Sequence, residues 1–293
     1  MNKLLSNILF IYFLGFSCSF IAQGDGGVFK PYDGIYIKEN ANNRRFIPYT
    51  HLREADVQWT KRVWRRIDLR ERQNHPLYYP TDTASTRQSF LRVVLKALLR
   101  DDPNLRLHAF KSDDFLEPWD YNELKKKICI QGDSTEPTVQ YDENGNELPP
   151  GPKGPPSVNC GWMYGENFTS IKLKEDWFFD KQKSSLDVRI LGISFCFTIP
   201  GKEEFGENAM FTLYYPECRP LFAKNEVFNV KNDSERRTFE DIFWKRQFTS
   251  IVDKESNIYD RKVEDYSKGI DALLESDRIK YDIFKYEHDM WHF

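Results

Sequence analysis

The thirty residues 131–160, QGDSTEPTVQYDENGNELPPGPKGPPSVNC, constrain the chain more than any other feature. Pro, Gly and acidic side chains dominate them, which leaves too little apolar surface to repay the entropy of ordering. Proline also removes donors that a helix or central strand requires. A long surface loop is expected there, so the core must come from the sequence on either side. Cys129 and Cys160 flank this loop.

Upstream, ADVQWTKRVWRRIDLRERQNHP (55–76) places Trp59, Val63 and Ile67 at i, i+4 and i+8. That spacing predicts a helix with one apolar stripe, ended by Pro76. A second helix is expected over 86–100, with Phe90, Val94 and Ala97 on one side and Leu91, Leu95 and Leu98 beside them. A short strand (105–110) and a helix (121–129) follow. Downstream, Leu186, Val188 and Ile190 alternate with polar residues before an apolar run over 193–199. Phe211, Leu213 and Tyr215 alternate again after GKEEFGENA, which predicts an antiparallel hairpin. Thr238 is placed to cap a helix in FEDIFWKRQF, and Ile270, Leu273 and Leu274 lead another toward Ile283 and Phe284. The class is α+β: mixed helices with an antiparallel sheet, plus an extended N-terminal arm.

At the N-terminus Lys3 precedes an apolar run that is shorter than the roughly 20 residues a membrane helix needs. Residues 1–22 read as a secretory signal cut after Ala22. Lipidation at Cys18 is the rival, although Gly15 stands where such a signal usually carries Leu. Residues 23–50 show neither helical nor strand periodicity, yet they carry Phe29, Tyr32, Tyr36 and Phe46. They read as an arm laid over a partner, with an arm folded on its own core as the alternative. The remainder divides into an α+β core at 51–260 and a C-terminal helical segment at 261–293.

Lys and Arg number 42 against 45 Asp and Glu, a formal charge of -3, so nucleic acid is not the expected partner. Signal removal leaves Cys129, Cys160, Cys196 and Cys218, which allow three pairings. Cys196 lies in an apolar run and fits a buried thiol equally well. A Cys129–Cys160 bridge across the loop is the candidate disulfide, worth about 3–4 kcal/mol. No zinc-type spacing, GxSxG, HExxH or phosphate-loop pattern occurs, so neither a metal nor another cofactor is expected. His288 and His292 fit a polar chain end better than a metal site, and Asp113–Asp114 and Glu203–Glu204 fit solvated loop charges.

The densest charge feature is Lys61, Arg62, Arg65, Arg66, Arg70 and Arg72 around Trp64. Trp64, Arg65, Arg66 and Arg70 are the candidate partner-binding residues, suited to an acidic partner or anionic head groups. A solvated helix face is the plain alternative. Val63-Trp64-Arg65-Arg66 is echoed by Phe243-Trp244-Lys245-Arg246, but the flanking spacing differs and chance similarity is the better reading. Aromatic residues make up 15% of the chain, which points to a rich core or a rich interface without choosing.

The run DVQWTKRVWRRIDLRERQNHPLYYP (56–80), RILGI (189–193) and RTFEDIFWKRQFTSIVDKESNIYDRKVEDY (237–266) resemble the gliding motility proteins of the GldN/PorN family. The similarity runs from about residue 44 to the C-terminal EHDMWHF; the proline-rich part at 143–156 has no counterpart in the family pattern. The resemblance implies a non-enzymatic periplasmic subunit of the type IX secretion system. It implies a ring formed with the lipoprotein GldK or PorK beneath the outer membrane, self-association within that ring, and contact with the periplasmic part of GldM or PorM. A secreted hydrolase with an unrecognised site is the alternative from a different class.

Overall fold

The computed structural model describes residues 44–81, 87–134, 156–159, 167–197, 208–229, 231–232 and 234–290. The signal peptide, most of the arm including Phe29, Tyr32 and Tyr36, the middle of the proline-rich loop, Cys160 and His292 lie outside the described residues.

Residues 57–68 correct the helix expected over 55–76. They form strand β1 (Val57–Asp68), followed by a 3-10 turn and the four-residue helix α1 (His75–Tyr78). A spacing of four satisfies a helical turn and also an even number of strand positions, so Trp59, Val63 and Ile67 share one strand face as readily as one helix face. The β-branched and aromatic content and the strict alternation of burial favour the strand. Helix α2 (Phe90–Leu98) is shorter than the stretch expected, because the side chain of Ser89 accepts from the backbone N–H of Arg92 and sets the start. Strand β2 (Ala109–Phe110) is brief, and helix α3 (Tyr121–Ile128) falls as expected, capped by Asp120.

The ends of the proline-rich segment are not loop. Strand β3 (Ile130–Ser134) pairs antiparallel with β4 (Pro156–Asn159), with Ile130 opposite Asn159. Sequence periodicity assigns no element to 168–180, yet β5 (Phe168–Asp180) lies at the centre of the sheet. The Ile-Lys-Leu-Lys alternation at 171–174 is the signal that marks it. The expected hairpin is present as β6 (Ser185–Phe197) and β7 (Asn208–Tyr214). Helix α4 (Tyr215–Lys224), the β8–β9 pair (Glu226–Val227 and Arg237–Thr238) and helix α5 (Phe239–Trp244) follow. Thr238 and Asp241 form a reciprocal capping box at α5. Strand β10 (Ile251–Glu255), helix α6 (Val263–Tyr266) and the 21-residue helix α7 (Ile270–Met290) complete the chain.

The main sheet runs β10-β1-β5-β6-β7-β2, antiparallel throughout. Odd-numbered β1 residues from Trp59 to Ile67 face the helices. Phe90 sits amid Phe195, Phe222, Phe239 and Phe243, with ring centroids 4.9 to 5.5 Å away. Much of the aromatic surplus is therefore core, where each ring contributes large burial area. A second cluster joins Val63 and Val252 to Ile279 and Ile283 of α7. Ser276 of α7 accepts from the N–H of Val252 at 2.7 Å, so the helix satisfies a donor of edge strand β10. Cys129 is disulfide-bonded, whereas Cys196 and Cys218 are buried as thiols.

Candidate functional site

Because β1 is a strand, its basic cluster is divided between two faces. Arg65 points inward beside Val63 and Ile67, and Arg62, Trp64 and Arg66 point outward.

Inward, Arg65 is 8% exposed and its Nε lies 3.1 Å from an oxygen of Glu175, which is fully buried. Arg246 approaches the same carboxylate with both terminal nitrogens, at 2.9 and 3.1 Å. Trp177 donates its indole N–H to Glu175 at 3.1 Å, and both guanidinium carbons lie just over 5 Å from its ring. Arg246 follows α5 with φ of 52°, the left-handed conformation of a helix stop, and its backbone N–H is donated to Phe243. Burial pulls the pKa of Arg65 down, and Glu175 counters that pull. Arg65 is therefore a structural group and not the partner-binding residue expected: a strand register buries it against Glu175. The Trp-basic-basic echo is not a duplication either, since one copy is strand and the other a helix end. Both copies nonetheless send an arginine to Glu175.

Outward, Arg62 holds Asp176 through two bonds of 2.6 and 2.8 Å. Trp64 is half-buried and donates its indole N–H to Asp113 at 2.7 Å. Lys174 donates to the Asp113 carbonyl at 2.6 Å, and Lys254 sits 4.5 Å from the Trp64 ring. Burial pushes the Asp113 carboxyl up, but the Trp64 donor and Lys174 outweigh it and hold the pKa below the usual range. Asp113 thus belongs to a built cluster and not to a solvated loop pair. Phe115, in the same loop, has φ of 59° and presses its ring toward Gly192, where a Cβ would come within 2.7 Å. Arg66 is shared between Glu264 at 3.4 Å and Asp253 at 3.9 Å. Arg70 is the most open of the candidates, 76% exposed and 3.4 Å from Asp68.

A third cluster receives the end of the arm. Arg219, 2% exposed, pairs with Glu240 at 2.7 Å, and Tyr215 donates its hydroxyl to the same carboxylate at 2.8 Å. Its other nitrogen donates to the carbonyl of Ile47, and its guanidinium lies 4.1, 5.0 and 5.1 Å from the rings of Tyr49, Phe46 and Trp244. Phe46 therefore packs in part on its own chain, as the alternative reading of the arm expects. Burial pushes the Tyr49 hydroxyl up to about 12 against the pull of Arg219. Residue spacing could not have grouped Arg219, Glu240 and Tyr49; only the buried charge at Arg219 and its need for a partner hint at such a cluster.

Beside α6 and the start of α7, a groove of about 580 Å³ runs along β10, lined by Arg66, Val252, Glu264 and Leu273 among others. Among the described residues no three His, Cys, Asp or Glu side chains group as metal ligands. No helix among them is long and apolar enough to cross a membrane.

The architecture defines an α+β protein with helices on one face of an antiparallel sheet and its charged groups drawn into ion-pair clusters. The family described as gliding motility associated protein GldN matches residues 52–292, and the chain belongs to that family. It is accordingly a component of the gliding motility and type IX secretion machinery, a member of a multiprotein complex. No curated protein matches the chain.

Proposed function

We propose that the chain is a non-enzymatic structural subunit in the periplasm, forming a ring with a GldK- or PorK-like lipoprotein beneath the outer membrane and contacting a GldM- or PorM-like partner. The observation that carries the reading is the extent of the family match, which takes in every element from β1 to α7. The disulfide at Cys129 supports an oxidising compartment outside the cytosol. Trp64, Arg66 and Arg70 remain the outward candidates for docking, with Arg70 the most accessible. Coexpression with the neighbouring lipoprotein, followed by copurification and imaging, tests the proposal. Stoichiometric rings are expected. A chain that fractionates with the cytosol, or purifies alone under conditions that preserve the complex, would overturn it.

A further inference from the structure

The charge run on β1 is largely spent within the chain: Lys61, Arg62, Arg65, Arg66 and Arg70 each face a carboxylate of their own fold. Helix α3 differs. Lys125, Lys126 and Lys127 are exposed, and among the described residues none of them is in an ion pair. Leu124 and Ile128 turn one side of the helix into the core. At 3.6 residues per turn the three lysines therefore fan over the remaining surface, with Lys126 pointing most directly away.

Two aromatic rings brace the flanks of this fan. Arg106 and Lys125 lie 3.6 and 5.7 Å from the ring centroid of Tyr121, and Lys111 and Lys127 lie 5.2 and 4.5 Å from that of Trp119. Backbone pairing sets the rings in place, since Lys111 donates to the carbonyl of Glu117 and Trp119 to that of Ala109. Stacking of this kind holds long side chains before a partner arrives and lowers the entropy lost on binding.

Donors outnumber acceptors across the patch. Arg106 donates to the backbone carbonyls of Arg100 and Asp101, Lys127 to that of Met210 at 3.4 Å, and Lys111 meets Glu117 at 3.9 Å. The indole N–H of Trp119 is buried without an acceptor. Partial burial pulls the pKa of Lys127 down, with no opposite charge to counter it. What these groups lack in common is a negatively charged acceptor.

Neighbouring acids specify the form of that acceptor. Glu117, Asp120 and Glu123 are exposed among the cations. A uniformly anionic membrane would press charge against them too, whereas a polypeptide sets single carboxylates between them. We propose that the α3 patch is a docking surface for an acidic segment of another polypeptide, gripped by Lys125, Lys126 and Lys127. The surface belongs to the folded chain, so its binding test does not depend on ring formation.

The test measures fluorescence anisotropy of a labelled oligoglutamate peptide with the full mature chain at about 0.15 M salt. Saturable binding is expected. K125E with K126E should weaken it at least about tenfold and flatten its salt dependence, whereas K245E with K268E, the same charge reversal outside the patch, should change it less than about threefold. Lys125 and Lys126 are exposed and outside any ion pair, so circular dichroism and Tm of that variant should match the parent. In the assembled complex, carbodiimide should join Lys125 or Lys126 to a carboxylate of another polypeptide. Each of four results overturns the proposal: no saturable binding, equal loss in the two double variants, equally tight binding to vesicles of phosphatidylethanolamine and phosphatidylglycerol, or no carbodiimide link from these lysines to another chain. Binding that emerges only when residues 135–155 are deleted would assign the patch to the chain's own acidic segment, and the proposal would fall.

Discussion

Glu175 and Arg246, 71 residues apart in sequence, meet in a two-bond ion pair beneath the sheet, with Arg65 completing the group from the opposite strand. One buried carboxylate faces two guanidiniums, so the cluster is asymmetric in what its loss would cost. Replacing a buried ion pair by apolar groups can be neutral, but removing one partner strands the other.

Glu175→Gln should therefore destabilise the fold by about 3–5 kcal/mol, since it leaves the buried Arg65 and the part-buried Arg246 uncompensated. Arg246→Ala should cost less, because Arg65 and Glu175 remain as a pair. Urea denaturation of both variants checks the order; a smaller loss for Glu175→Gln would refute it.

Arg65→Glu and Arg70→Glu separate folding from docking. The first places two carboxylates together in the core and should prevent folding. The second sits in solvent, where a paired charge is worth about 0–1 kcal/mol, and should leave Tm unchanged. If Arg70 steers a partner, its reversal slows association and reduces its salt dependence. Binding kinetics at two ionic strengths measure this, and identical rates would remove Arg70 from the interface.

Gly192→Ala should cost about 1–3 kcal/mol, because the added methyl meets the Phe115 ring, itself held between Phe110 and Tyr214. In the background of Phe115→Ala the same change should be nearly neutral. Thermal unfolding of the four chains gives the coupling, and additivity would show that the ring moves aside freely.

Alkaline stability should depend on Tyr49. Its hydroxyl titrates near 10 in the unfolded chain and near 12 in the fold, where burial favours the neutral form. The unfolded state therefore loses its proton first, and stability present below pH 10 is lost as pH rises toward 12. The loss is roughly 2 kcal/mol after allowance for partial exposure. Tyr49→Phe should flatten that slope without abolishing it, because burial also raises the Tyr215 hydroxyl. Unfolding free energies between pH 9 and 12 measure the difference.

Cys129 is expected to pair with Cys160, closing the proline-rich loop. Peptide mapping without reduction should recover a linked pair, and Cys129→Ser should cost about 3–4 kcal/mol. A bridge from Cys129 to any other cysteine would redraw the β3–β4 region.

Local sequence determined the elements whose signals act within a few residues. The Thr238 cap, the 186–215 hairpin and helix α7 were legible because capping and periodicity need only neighbours in the chain. The family was legible too, since whole phrases carry it. Tertiary structure decided what local patterns left degenerate. Spacing of four fits a helix and a strand alike, and pairing of β1 with β5 and β10 resolved it, because a strand gains its hydrogen bonds only from partners remote in sequence. The same pairing chose which arginines were buried: alternation turned Arg65 toward Glu175 and left Arg66 outside. A charge run read along the chain gives its total, but the sign and depth of its neighbours exist only after strands from residues 57, 168 and 251 onward lie side by side.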